Sequence, residues 1–174
     1  IFMAMMPAWG FATAASTLVG QSLGAGKEED AESYGWDILK LASSIMVPVG
    51  LAIALFAGNI ADLFVNEPDV IAISTVFIWV FSVAVFGFAL DRVMRGSLRG
   101  AGDTRWPMYG TLLAVYGWML PISYVFGIVL GYGIYGVFVG ILGNFFIPSI
   151  INLIRFRTGK WREVSRKIRE KNGV

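Results

Sequence analysis

The chain has 174 residues, 56% of them hydrophobic and 15% charged, with no Cys, no His and a mean hydropathy of +0.68. A soluble domain carries about 25% charge, so this composition points to a bilayer. The missing residue types exclude disulfide frameworks, Cys/His zinc sites, thiol nucleophiles and imidazole acid–base chemistry. The net charge of +2 does not indicate a nucleic-acid partner, because the basic residues flank hydrophobic runs and lack a soluble domain to present them.

A hydrocarbon core about 30 Å thick needs about 20 apolar residues at about 1.5 Å each. Uncharged runs of that order occur at 1–23, 41–61, 70–90, 106–130 and 134–154. None alternates with the two-residue period of a barrel strand, so the runs predict an all-α integral membrane lobe over 1–159 with about five transmembrane helices. The run at Ile1 has neither the basic n-region nor the small-residue cleavage site of a signal peptide, and the expectation is of a fragment whose parent chain continues upstream.

All 14 basic residues fall in alternate links and the tail. The first link holds Lys27 and Lys40, the third holds Arg92, Arg95, Arg99 and Arg105, and the rest follow residue 154. By the positive-inside rule those segments are cytoplasmic, giving a multi-pass protein of the cell membrane with a cytoplasmic C-terminus. The tail over 160–174 is basic and anchored by Trp161, and reads either as a solvated helical end or as a helix resting on anionic lipid.

In the first span Thr13, Ser16, Thr17 and Gln21 recur at three- and four-residue steps and share a face with Gly20 and Gly24. Such a stripe either packs closely on another helix or lines a wet pathway. Packing is the reading for Gly20 and Gly24; Thr13, Thr17 and Gln21, with Asn144 of the last span, are the candidate pathway residues. Pro7, Pro48, Pro121 and Pro148 each remove a backbone hydrogen bond and predict bent helices. Asp91 stands four residues before Arg95, which predicts a structural pair, with ion coupling as the second reading. Asn152 can bond across to another helix.

Two links close a helix with Gly and open the next with charge, around Gly24–Gly26 and around Gly100–Asp103. Gly in these links suits a left-handed C-terminal turn, and Asp103 or Thr104 a helix N-cap. Residues 20–27 are not a phosphate loop, since Ala25 and Glu28 replace a required Gly and Ser/Thr and no strand precedes them. No nucleophile with a base, paired catalytic carboxylates or metal cluster emerges from the sequence, so neither an enzyme nor a metal site is expected.

The segments Ala14-Ala15-Ser16-Thr17-Leu18-Val19-Gly20-Gln21-Ser22-Leu23-Gly24-Ala25-Gly26 and Gly96-Ser97-Leu98-Arg99-Gly100-Ala101-Gly102-Asp103-Thr104 resemble the multidrug and toxic compound extrusion (MATE) family in order and separation. The resemblance implies the last five of twelve helices, a partial six-helix lobe that works with an N-terminal lobe of the same protein. It further implies a secondary antiporter that exports organic cations or other small amphipathic compounds in exchange for Na⁺ or H⁺, by alternating access between lobes in membrane lipid. Some members carry a coupling carboxylate at the position matched here by Phe88, and others place it in the first lobe. The coupling ion is therefore expected to bind in the other lobe, with Asp91 a secondary candidate and no further cofactor. A lipid or lipid-linked saccharide flippase of the same superfamily, which would show cationic residues inside its cavity, and a non-transporting scaffold are the rival readings.

Overall fold

The computed structural model describes residues 2–172, so Ile1 and the last two residues of the expected tail lie outside the described residues. In chain order the helices are α1 (Phe2–Gly24), α2 (Glu28–Leu55), α3 (Ala57–Phe64), α4 (Pro68–Gly100), α5 (Arg105–Leu112), α6 (Leu120–Tyr124), α7 (Ile134–Arg157) and α8 (Trp161–Asn172). No strand occurs among the described residues, in keeping with the all-α expectation.

Among the described residues, four helices are long and apolar enough to cross a membrane: Glu28–Leu55, Pro68–Gly100, Arg105–Val129 and Ile134–Arg157. The fifth expected span, α1, matches them in length with 23 uncharged residues. Helix α2 starts at Glu28, well before its uncharged run, because Glu28, Glu29 and Asp30 occupy its first turn, where the aligned peptide dipoles favour negative charge. It stops at Leu55, and the chain turns at Phe56 into the short α3.

Helix α4 is the centre of the bundle and packs on α1, α2, α3 and α7. At about 1.5 Å per residue its 33 residues exceed the hydrocarbon thickness, so its charged end projects past the apolar layer. One core cluster joins Val19 and Leu23 of α1, Met94 and Leu98 of α4, Phe156 of α7 and Trp161 of α8. A second joins Met5, Met46, Val85 and Phe88.

Helices α5 and α6 belong to one rod, Arg105–Val129, whose turns widen to π-helix at Leu113–Met119 and Val125–Val129. Pro121 accounts for the first of these. In α geometry its ring would press on the carbonyl of Gly117, and the wider turns just before it relieve that contact. Leu120 accordingly bonds five residues back, to Val115. Pro7, Pro48 and Pro148 lie inside α-helices that continue through them.

Candidate functional site

Helices α1 and α4 meet backbone to backbone. Gly96 and Gly100 stand one turn apart on α4; a methyl added at Gly96 would collide with the Ala12 carbonyl, and one at Gly100 with the Ser16 carbonyl. A methyl at Gly20 would lie 3.3 Å from the Gly100 carbonyl oxygen. Small residues spaced by four on both helices permit this approach, the usual basis of close helix pairing in lipid. The packing expected of Gly20 is therefore present. Gly24 is a correction, because open space surrounds it and it packs on nothing.

Beside this crossing a groove of about 200 Å³ opens, lined by Trp9, Thr13, Ser16 and Thr17 of α1 and by Arg92, Arg95 and Arg99 of α4. Thr13 donates its hydroxyl to the Trp9 carbonyl at 3.0 Å. The groove thus joins two of the pathway residues expected from the sequence. Gln21 is exposed further along α1, and Asn144 is half-buried on α7; neither is among the groove's lining residues. The sequence assigns the three arginines to the cytoplasmic edge alone, and the structure adds their part in the groove. Their spacing carried the signal, because Arg92, Arg95 and Arg99 flank Gly96 and Gly100 on one helical face.

Asp91 is 4% exposed. Arg95 approaches its Oδ2 at 2.9 Å, and the Asn152 side-chain amide of α7 donates to its Oδ1 at 2.9 Å. Both carboxylate oxygens are engaged, one by a guanidinium that would repel a cation, so this environment does not suit ion coupling at Asp91. Phe88 packs its ring against Phe145 and the Arg92 guanidinium.

The two Gly-rich links fold alike. Gly26 donates to the carbonyl of Leu23 and Lys27 to that of Ser22; Gly102 donates to Arg99 and Asp103 to Leu98. In both, the Gly is left-handed, with φ +76° at Gly26 and +81° at Gly102, a conformation that residues with a Cβ adopt at a cost. The expected N-cap at Asp103 or Thr104 is absent: Thr104 holds the cap position without a side-chain bond. The Asp103 carboxylate instead receives the Arg155 Nε–H at 2.7 Å in a buried pair, tying the α4–α5 link to α7.

Helix α8 keeps Arg166, Lys167 and Glu170 exposed but is also tied to the bundle. Trp161 is fully buried, stacks on Phe156 at 5.3 Å between ring centroids, and donates its indole N–H to the Phe156 carbonyl at 2.9 Å. Arg166 makes a two-pronged contact with the Glu28 carboxylate, both bonds 2.9 Å, and Arg169 also donates to Glu28 at 2.9 Å. Arg162 pairs with Glu32, and Arg169 reaches the Leu23 carbonyl at the end of α1. The acidic first turns of α2 thus supply the partners for the basic tail. The hydrogen bond from Arg166 lowers the pKa of Glu28 below the usual glutamate range, aided by the nearby charges of Arg166, Arg169 and Arg162 against the opposing effect of burial.

Long apolar helices, a small-residue crossing at the bundle centre and a polar groove beside it define a polytopic helical membrane protein. Residues 1–125 match the MatE family, and the chain belongs to that family. It is 32% identical over 172 residues to the probable multidrug resistance protein NorM of Thermotoga maritima, covering 97% of this chain and 36% of that protein. It is 28% identical to the uncharacterized transporter YisQ of Bacillus subtilis, over 83% of this chain and 32% of that one. The crystal structure of the eukaryotic MATE transporter AtDTX14 superposes with a TM-score of 0.88 at 22% identity, over 97% of this chain and 38% of that one, which shows the shared fold. The chain spans about a third of the length of the curated relatives it matches.

Proposed function

We propose that the chain serves as part of one lobe of a secondary exporter of small amphipathic compounds, exchanging them for Na⁺ or H⁺ in concert with a second lobe of the same protein. The observation that carries this reading is membership in the MatE family together with the 32% identity to a probable multidrug resistance protein. The geometry supports it, since a central pair of helices touching through small residues leaves a polar face of α1, with Thr13 and Thr17, open beside the contact. Widened turns before Pro121 supply a place where the Arg105–Val129 rod can bend as a lobe rocks.

In this reading the basic residues set the two Gly-rich turns and α8 at the cytoplasmic face, and membrane lipid surrounds the lobe. The coupling carboxylate lies in the other lobe, because Asp91 is already held by Arg95 and Asn152. Dye efflux from energised proteoliposomes containing the full-length protein tests this: a Na⁺ or H⁺ gradient should drive extrusion of an amphipathic dye, and Thr17→Leu should alter the range of dyes extruded. Absence of gradient-driven movement of any dye would count against export.

A second reading, translocation of a lipid or lipid-linked saccharide, is favoured by one observation: three arginines line the groove. It predicts that a head-labelled anionic phospholipid changes leaflet in those proteoliposomes with no ion gradient imposed.

A further inference from the structure

The arginines of the α1–α4 groove are poorly neutralised. Asp91 is engaged by Arg95, and Arg92 and Arg99 have no carboxylate partner among the described residues. Arg92 lies against two aromatic rings, its guanidinium carbon 4.7 Å from the Trp9 centroid and 4.6 Å from that of Phe88. Rings occupy the faces of a guanidinium and leave its in-plane N–H donors for a ligand. The Nε atoms of Arg92 and Arg95 are buried with no hydrogen-bond partner among the described residues. A guanidinium drawn out of water in this way needs an opposite charge or acceptor to offset its desolvation.

The groove also has acceptor-tolerant polar neighbours in the Ser16 and Thr17 hydroxyls, and a wall of Trp9. At about 200 Å³ it is smaller than the roughly 300–1,000 Å³ pockets that enclose drug-sized molecules, which suits a compact head group.

We propose that this groove is an anion site that takes the single carboxylate or phosphate head of an amphiphile. Arg92 and Arg99 supply the charge and the forked N–H donors that match such a head, and Ser16 and Thr17 add hydroxyl donors. The site requires binding alone, so it goes beyond the exporter reading and stands or falls separately from it. The same head chemistry is carried by an acidic compound in transit and by the phosphate of a membrane phospholipid.

The test is scintillation-proximity binding of radiolabelled octyl phosphate to the full-length protein in a neutral maltoside detergent. Saturable binding is expected, displaced by octanoate and not by octyltrimethylammonium. Arg92→Gln and Arg99→Gln should each weaken it about tenfold or more, while Arg105→Gln, at an exposed position outside the groove, should leave it unchanged. Arg99 is exposed, so its variant keeps the test open if Arg92→Gln fails to fold. Native mass spectrometry then separates the sources. Loss of one retained phosphatidylglycerol in the arginine variants assigns the site to membrane lipid, whereas unchanged lipid with lost octyl phosphate binding assigns it to an exchangeable amphiphile. The proposal is overturned if folded Arg92→Gln and Arg99→Gln proteins bind as the parent does, if octyltrimethylammonium competes as well as octanoate, or if the parent shows neither saturable binding nor retained phosphatidylglycerol.

Discussion

The side-chain amide of Asn152 on α7 donates a 2.9 Å hydrogen bond to the carboxylate of Asp91 on α4, across 61 residues of sequence. With Arg95 donating to the same Oδ1 at 3.0 Å and standing 2.9 Å from Oδ2, Asp91 becomes the polar joint between two helices at the centre of the bundle. Such a joint is unequal in its energetics. Removing one member leaves a buried charge alone, while removing both ionic members can be nearly neutral.

Asp91→Asn should therefore destabilise the protein by about 3–5 kcal/mol, seen as a lowered unfolding temperature in detergent. Asp91→Asn combined with Arg95→Met should recover most of that loss. If Asp91 were instead an ion-coupling residue, the double variant would regain stability while the ion dependence of transport disappeared. The arrangement predicts that ion dependence persists.

Gly100→Val should separate α1 from α4, because the new side chain meets the Ser16 carbonyl at the closest point of the crossing. Overpacking of this kind costs about 1–3 kcal/mol. Gly24→Ala, with open space around it, should leave stability unchanged within about 0.5 kcal/mol. Unfolding temperatures of the two variants, measured side by side, check the contrast.

Arg155→Ala should strand the buried Asp103 carboxylate and loosen the α4–α5 link from α7, again by about 3–5 kcal/mol for a broken buried pair. Hydrogen exchange should show faster amide turnover through residues 101–106 than in the parent.

Docking of α8 should depend on acid pH. Glu28 stands in the first turn of α2, outside the uncharged run, and its pKa is lowered chiefly by the hydrogen bond from Arg166. A depressed carboxylate pKa contributes stability that is complete above the usual glutamate value of about 4.3 and is lost as pH falls through the lower, folded value. Protease cleavage within 161–172 should thus stay slow at neutral pH and accelerate as pH drops below about 4. Glu28→Gln should cleave faster at neutral pH and show a weaker pH dependence than the parent.

Much of this architecture was legible because it is local. Uncharged runs were enough to expect long helices, the four-residue step from Asp91 to Arg95 was enough to expect their pair, and the Gly-rich links marked the ends of α1 and α4. What escaped depends on partners distant in sequence. The ion pairs of the basic tail are not legible because its acidic partners, Glu28 and Glu32, lie 130 residues or more away. Asp103 suits an N-cap by position, and only the placement of α7 brings Arg155 to it. Arg92 reads as an edge charge until Trp9 and Phe88 are seen beside it. The wider turns before Pro121 follow from a proline whose effect on a helix, bend or expansion, is settled by what packs around it.

The central claim is that the polar face of α1 borders the path of an exported compound. It is tested most directly by cysteine labelling at Thr17, since the chain has no Cys of its own. Thr17→Cys, in a full-length protein free of other cysteines, should react with a membrane-impermeant thiol reagent, be protected by excess transported dye, and lose efflux once modified. Failure of the reagent to reach Cys at this position, or full efflux after complete modification, would contradict the account.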